Sequence, residues 1–320
     1  MSALEQISTP VLPLMEEFRA TYAEILQNEN PLLQQVIAHV QASSGKQMRP
    51  MLVLLSARLV GEPTLSSMQS AAALELLHVA SLMHDDVVDE SSMRRGKPSV
   101  AAQFSSKVAV LSGDYYLSSA LAASCATQQV GVVNVIAQLG KTLAGGELLQ
   151  LDCANSQSFS EKVYYQVIYA KTAAMFEACA RLGAMTASGS DEASWLQMAE
   201  FGRNLGMCFQ IKDDLLDYED AQKVGKPTGN DIREGKFTLP LIHVYEQADE
   251  ALKAQMLRLL DFADVPTLQQ IARERGGMDY ANQKLQQFKA DALACLGGFA
   301  DSPVKQSLAL YLDYIAARSY

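Results

Sequence analysis

Two short acidic stretches carry the side chains most capable of chemistry. One reads Asp-Asp-Val-Val-Asp at positions 85–89 and the other Asp-Asp-Leu-Leu-Asp at positions 213–217. Each places two aspartates at i and i+4 on one face of a predicted helix, where like charges cost about 0.2–0.5 kcal/mol per pair. A divalent cation relieves this repulsion, and carboxylate oxygens are the ligands that Mg²⁺ prefers. One such stretch is common on solvated helices, but two copies after apolar runs predict a magnesium site that binds a diphosphate.

Basic residues lie close to both acidic stretches. Lys46 and Arg49 are three residues apart in a helix predicted to begin at Gly45, which indicates either a phosphate clamp at its N-terminus or two solvated surface cations. Other cations follow the acidic stretches in polar loops, where they either bind diphosphate oxygens or are merely solvated: Arg94 and Arg95 after the first, and Lys226 and Lys236 after the second.

The elements that must position these residues are helices. Apolar residues recur at helical spacing over most of the chain, with breaks at 28–31, 61–63, 128–131, 188–190, 276–277 and 297–298. Long apolar helices over 66–90 and 192–220 are expected to deliver the two acidic stretches. With no strand-rich block and no linker, the pattern predicts one all-α domain over residues 1–320.

Composition narrows the class of protein further. The net charge of −10 argues against non-specific nucleic-acid binding, which needs a basic surface. No apolar run reaches the roughly 18 residues of a transmembrane helix. The five cysteines are scattered and form no CxxC pair, which indicates a reduced, cytoplasmic setting.

Five motifs occur in an order that resembles a known family. They are GKQMRP, LLHVASLMHDDVVD with MRRG, YAKTA, FQIKDDLLD and GKPTGNDIREGK. Over about residues 45–245 the chain resembles the trans-isoprenyl diphosphate synthases, head-to-tail prenyltransferases that build linear polyprenyl diphosphates. It is most similar to the long-chain branch that makes quinone side chains. The first motif departs from the family pattern Gly-Gly-Lys-Arg-x-Arg-Pro, because Ser44 replaces a glycine and Gln47 replaces the inner arginine.

The resemblance implies a helical isoprenoid-synthase bundle around a central cavity and a role for each matching residue. It implies three Mg²⁺ ions, two bound by Asp85 and Asp89 with help from Asp86, and the third bound by Asp213 with support from Asp214 and Asp217. It implies cations that contact the diphosphate of the allylic substrate, farnesyl or geranyl diphosphate: Arg94, Lys171 and Lys226. It implies residues that hold isopentenyl diphosphate: Lys46, Arg49, His78 and Arg95. Thr172 and Gln210 would line the reacting centre, and Lys236 would close over it. A homodimer is also implied.

Product length is expected to depend on side chains beneath Asp85. Ala80 lies five residues earlier, about 7.5 Å down an α-helix. Short-chain members of the family tend to carry an aromatic residue there, so Ala80, with Ser81 beside it and Leu76 and Ala73 deeper, implies an open path. The expected product is C30–C50, with C40 the best single value. The alternative is that Ala80 merely allows close helix packing, which leaves a shorter-chain geranylgeranyl or farnesyl diphosphate synthase possible.

Two further classes compete with a chain-elongating enzyme. A terpene cyclase of the same fold typically carries a different second metal motif and lacks a pocket like that of Lys46 and Arg49. A non-catalytic partner subunit usually loses an acidic motif, and both are present here. The sequence therefore favours the elongating enzyme.

Overall fold

The computed structural model describes residues 2–43, 45–157, 159–219 and 228–318. The α-helices of these ranges are α1 Ala3–Ser8, α2 Leu12–Ile25, α3 Pro31–Ala42, α4 Met48–Val60, α5 Leu65–Val88, α6 Val100–Gln103, α7 Ser106–Ala126, α8 Val130–Ser156, α9 Glu161–Ile168, α10 Ala174–Met185, α11 Glu192–Leu216, α12 Asn230–Arg233, α13 Leu239–Gln247, α14 Glu250–Asp261, α15 Val265–Glu274, α16 Gly277–Cys295 and α17 Pro303–Ala317. A 3₁₀ turn at Thr9–Val11 precedes α2, and a π-helical turn at Tyr169–Ala173 precedes α10.

The predicted all-α class is confirmed. Within the described ranges, the only paired strands are β1 (Met93–Arg94) and β2 (Lys97–Pro98), which form a small antiparallel hairpin. The chain divides into two compact units: one contains residues 1–140, 178–199 and 299–308, and the other 141–177, 200–298 and 309–320. The single-domain organisation stays a prediction, and each unit is described by itself.

The first unit is built around α5. This helix is rich in small and apolar residues, and a capping box between Thr64 and Ser67 fixes its N-terminus. Thr64 and Ser67 also donate hydrogen bonds from their hydroxyls to the carbonyl oxygen of Thr186, at 2.8 and 3.2 Å. Because α5 packs on α2, α4 and α7, its buried residues form much of the core of the unit.

In the second unit, α13 and α15 pack on α16. Gly206 on α11 lies so close to the π-helical turn that an added methyl group would come within 2.5 Å of the Ala173 Cα. This close approach brings the turn against the helix that carries the second acidic stretch. Across the described part of the chain, no helix combines the length and apolar character needed to cross a membrane.

One expected helix start differs from the structure, and the C-terminal region contains two breaks that the sequence analysis did not predict. The helix predicted from Gly45 begins only at Met48, because Gln47 before it has a left-handed backbone with φ 49°. Lys46 therefore precedes the helix and does not share a helical face with Arg49. The C-terminal region also breaks at residues 248–249 and 262–264, where aspartates at 249 and 264 cap new helices.

Candidate functional site

The first acidic stretch lies at the C-terminal end of α5, in the first unit. The helix ends at Val88, and the Asp89 N–H still donates to the Asp85 carbonyl oxygen at 2.8 Å. Asp85 and Asp89 therefore lie one helical turn apart on one side. Asp86 is buried, and its Oδ1 accepts hydrogen bonds from Arg94 Nη2 at 2.5 Å and Arg94 Nε at 3.0 Å. The two outer aspartates, rather than Asp86, are thus the better placed to bind a cation.

The β1–β2 hairpin positions Arg94 and Arg95. Its turn has positive φ at Arg95 (52°) and Gly96 (76°), as a tight two-residue hairpin turn requires. Two hydrogen bonds connect the hairpin to the C-terminal end of α3. Lys97 Nζ donates to the Ala42 carbonyl oxygen at 2.6 Å, and Arg95 Nη1 donates to the Ser43 carbonyl oxygen at 3.2 Å. Cations are favoured at this end of a helix because its last carbonyl groups lack partners.

Several cations converge next to this hairpin. The Arg95 guanidinium packs on Gly45, where an added methyl group would lie 2.6 Å from Nη1. Burial and the charges of Arg49 and Arg94 lower the pKa of Arg95. Burial and the same arginines, with Arg95, hold the pKa of His78 well below its usual value, so its imidazole is neutral at pH 7. An anionic ligand bound here would relieve the repulsion among these positive charges.

Glu75 is the carboxyl group that faces these arginines from α5. Burial raises its pKa, while Arg49 and Arg95 oppose the rise. Lys46 is exposed just before α4. The residues that the resemblance assigns to isopentenyl diphosphate, Lys46, Arg49, His78 and Arg95, thus all lie in the first unit.

In the second unit, the π-helical turn carries Lys171 and Thr172. Such turns are rare and occur often at functional sites. Gly146 on α8 allows the close approach of Ala170, since an added methyl group would lie 2.5 Å from the Ala170 Cβ. The next residue, Glu147, forms an ion pair with Lys171 (Oε1 to Nζ, 2.8 Å). The turn is therefore held by α8.

A chain of hydrogen bonds connects this turn to the second acidic stretch. Thr172 Oγ1 donates to Gln210 Oε1 at 2.7 Å, and Gln210 Nε2 donates to Asp214 Oδ1 at 2.7 Å. Tyr164 Oη donates to the other oxygen, Asp214 Oδ2, also at 2.7 Å. Both oxygens of Asp214 thus accept hydrogen bonds from side chains, which makes Asp214 an anchor for Gln210 more than a metal ligand.

Asp213, Asp217 and Asp231 complete the acidic cluster of this unit. Asp217 accepts hydrogen bonds from the backbone N–H groups of Asn230 and Asp231, each at 3.1 Å, and Asp213 accepts one from Arg318 Nη2 at 3.2 Å. Burial raises the pKa of Asp231 to about 6, with repulsion from Asp217 adding to the rise. Burial and repulsion from Asp231 likewise raise the pKa of Asp214.

The carboxylates fit a hard divalent cation such as Mg²⁺, because they are oxygen donors whose mutual repulsion a cation relieves. Within the residues that the structure covers, no three His, Cys, Asp or Glu side chains are already arranged around a metal position. Asp231 was not among the predicted site residues. Its signal in the sequence is the Gly-Asn-Asp triplet at 229–231, in the loop after the second acidic stretch.

The remaining predicted residues are placed as follows. Lys236 lies in the second unit and pairs with Glu234 (Nζ to Oε2, 2.6 Å). Lys226 lies outside the described residues. The side chains assigned to product length lie on α5 in the first unit: Ala73 and Leu76 are fully buried, Ala80 is 2% exposed, and Ser81 donates from Oγ to the His78 carbonyl oxygen at 2.9 Å. Protein atoms cover Ala73, Leu76 and Ala80, so no open channel reaches them in this conformation.

The all-α fold thus carries one carboxylate-rich stretch in each unit, and the stretch of the first unit lies beside a cluster of cations. Comparison with known proteins makes the class specific. The model of the Polyprenyl synthetase family matches residues 30–274. The octaprenyl diphosphate synthase of Escherichia coli is 35% identical over 98% of each chain.

Two solved structures are similar over nearly their whole length. The decaprenyl diphosphate synthase of Rhodobacter capsulatus is 33% identical with a TM-score of 0.93, and covers 99% of each chain. The geranylgeranyl pyrophosphate synthase of Bacteroides thetaiotaomicron is 38% identical with a TM-score of 0.85, and covers 99% of this chain and 100% of its own. The chain belongs to the polyprenyl synthetase family, and the prediction that it is a trans-prenyltransferase is confirmed.

Proposed function

We propose that the protein is a Mg²⁺-dependent synthase that adds isopentenyl diphosphate head-to-tail to an allylic diphosphate, farnesyl or geranyl diphosphate. The product is a long all-trans polyprenyl diphosphate of C30–C50, with C40 expected, that supplies quinone side chains. The observation that carries the proposal is the cation cluster beside the first acidic stretch. A second diphosphate needs such a cluster, and a terpene cyclase, which binds one diphosphate, does not.

The reaction breaks the allylic C–O bond, and the diphosphate leaves with the bonding electrons. When bound, Mg²⁺ ions neutralise the charge that develops on this leaving group. Arg94 and Lys171, with Lys226, bind its oxygens and hold it in place. The double bond of isopentenyl diphosphate then forms the new C–C bond, and a proton is lost to the released diphosphate.

Thr172 and Gln210 are proposed to face the allylic cation. The Thr172 hydroxyl donates to Gln210, so the lone pairs of its oxygen stay available to stabilise positive charge. The Gln210 amide is in turn anchored on Asp214. This preorganised chain of dipoles needs no reorientation when charge develops, which is the main advantage of electrostatic catalysis.

Lys46, Arg49 and Arg95 are proposed to hold the diphosphate of isopentenyl diphosphate, with the neutral His78 as a hydrogen-bonding partner. Arginine is suited to this role because its fixed fork of N–H donors matches phosphate oxygens. Holding both substrates converts a bimolecular step into a unimolecular one and excludes the water that would quench the cation.

The product-length proposal depends on Ala80. A small side chain at this position leaves room for a growing chain once neighbouring side chains move apart. This chain is similar both to synthases named for long products and to synthases named for shorter ones, so a shorter-chain product is the second candidate.

The homodimer is proposed from the family resemblance. The exposed Leu111 and Leu121 of α7 are candidate contacts between the two copies, and light scattering would measure the mass of the assembly.

A direct test measures consumption of labelled isopentenyl diphosphate with farnesyl diphosphate, with and without EDTA. We expect turnover that EDTA abolishes. Asp85→Asn and Asp213→Asn should each lower kcat by at least about 100-fold, an effect of the size seen when one charge-stabilising group is removed. The exposed Asp279→Asn is the matched control and should leave turnover unchanged. Turnover that persists in EDTA or in both aspartate variants would contradict the proposal.

A further inference from the structure

Gln47 has an unusual backbone at a sensitive position. Its φ of 49° and ψ of 40° lie in the left-handed region, which residues other than glycine, asparagine and aspartate rarely occupy. It stands between Lys46 and Arg49, two of the residues proposed to hold isopentenyl diphosphate. A strained residue of this kind persists only where the surrounding structure fixes it. The contact that fixes Gln47 therefore also sets where its two cationic neighbours lie.

Arg19 supplies such a contact from a distant part of the sequence. Its Nε donates to Gln47 Oε1 at 2.9 Å, which links α2 to the segment before α4. Arg19 is an exposed residue that lines a cavity of about 240 Å³ in the first unit, and the lining also includes Arg94 and Arg95. The guanidinium of Arg19 thus adds one more positive charge near this cluster.

The carboxyl groups facing the cavity do not balance these charges. Asp86 is paired with Arg94, and burial shifts Glu75 toward its neutral form. In the described structure, the salt bridges of the first unit include none that involves Arg19 or Arg95. An excess of guanidinium groups over carboxylates favours a dianionic ligand at this end of the unit.

We propose that Arg19 is a positioning residue for isopentenyl diphosphate: it holds the left-handed Gln47, and through it the placement of Lys46 and Arg49. This inference rests on the proposed function, because it assigns Arg19 to the same substrate. It concerns binding of the isopentenyl substrate alone. The allylic diphosphate, which is bound by other residues, and the chemical step should be unaffected.

The test combines direct binding with kinetics. Binding of isopentenyl diphosphate to the full chain is measured by calorimetry, and KM for each substrate and kcat are measured in the elongation assay. Arg19→Ala should weaken binding of isopentenyl diphosphate and raise its KM by about three- to tenfold, the effect of losing one charge-assisted hydrogen bond at an exposed site. The KM for the allylic substrate and kcat at saturation should change by less than twofold.

Four further variants separate positioning from general charge. Gln47→Ala should weaken binding to the same extent, and the double variant should be no worse than either single one, because both remove one contact. Arg19→Lys keeps the charge and a donor and should recover part of the affinity. Arg58→Ala, which removes an exposed arginine of α4 that pairs with Glu62, is the matched control and should bind normally.

Each possible result either supports or contradicts the positioning role of Arg19. If the wild type elongates and Arg19→Ala binds as tightly as Arg58→Ala, the inference is overturned. Additive losses in the double variant also overturn it, because Arg19 would then act without Gln47. If the wild type binds isopentenyl diphosphate through Arg19 but does not elongate, the proposed function fails while the positioning role stands. A wild type that neither binds nor elongates contradicts both.

Discussion

Replacement of Ala80 by phenylalanine tests what limits product length. Ala80 lies five residues before Asp85, so its side chain is about 7.5 Å along the helix axis from the first carboxylate that is proposed to bind metal. Because Ala80 is only 2% exposed, the ring needs space that protein atoms now occupy. Overpacking of this kind typically costs about 1–3 kcal/mol of folding free energy. We expect the variant to fold with reduced stability and to make shorter products than the wild type.

The control for this variant is Ala71→Phe. Ala71 is also fully buried on α5 but lies nine residues earlier, which places it on the opposite side of the helix. It should lose a similar amount of stability in urea unfolding without shortening the product. Products are dephosphorylated and sized by mass spectrometry at equal enzyme turnover. An unchanged distribution in Ala80→Phe, or equal shortening in both variants, would refute the assignment of Ala80 to the path of the growing chain.

Three further outcomes follow from the buried groups. Tyr164→Phe removes the hydrogen bond that one oxygen of Asp214 accepts. It should lower the unfolding free energy measured in urea by about 1–3 kcal/mol, and it should also lower kcat. Unchanged values would show that this hydrogen bond is dispensable. Because the pKa of His78 is depressed in the folded state, only the unfolded chain binds a proton at this residue just below pH about 6.5, so the unfolding free energy falls as the pH falls. His78→Gln should reduce the slope of unfolding free energy against pH by up to about 1.4 kcal/mol per pH unit. An unaltered slope would contradict the buried neutral imidazole. Burial raises the pKa values of Cys179 and Cys208 to about 12, so maleimide at pH 7.5 should label neither until the protein unfolds, which intact mass spectrometry checks.

Local features of the fold and site could be predicted from the sequence. The acidic stretches at 85–89 and 213–217 combine like charges and apolar residues within one helical turn, and the helices α5 and α11 that carry them are long and contain many apolar residues. Helix type and most breaks depend on short-range signals such as the Asn-Pro step at 30–31, where Asn30 caps α3. These signals need no knowledge of tertiary contacts.

Features set by distant contacts could not be predicted in the same way. The left-handed Gln47 is held by Arg19, 28 residues earlier, so the start of α4 at Met48 has no local signal. The acidic cluster gains Asp231 through backbone bonds to Asp217, 14 residues away. The hydrogen bond between Thr172 and Gln210 spans 38 residues. Single-sequence reasoning identifies such residue types but not the partners that orient them.

The short C-terminal helices also depend on contacts that the sequence does not reveal. Asp249 and Asp264 cap α14 and α15, but aspartates are common on solvated helix faces, so neither position by itself marks a boundary. The glycine pairs at 276–277 and 297–298 are stronger signals, and helix boundaries do occur at both. Caps are recognised reliably only where the neighbouring backbone shows which N–H groups need acceptors.

The central claim is that this chain elongates an allylic diphosphate with isopentenyl diphosphate. The most direct measurement incubates the purified protein with Mg²⁺, farnesyl diphosphate and labelled isopentenyl diphosphate, and sizes the dephosphorylated products by mass spectrometry. A narrow product peak within C30–C50, centred near C40, is the expected result. A C20 product would retain the reaction and contradict the path beneath Ala80, whereas unconsumed isopentenyl diphosphate would contradict the claim itself.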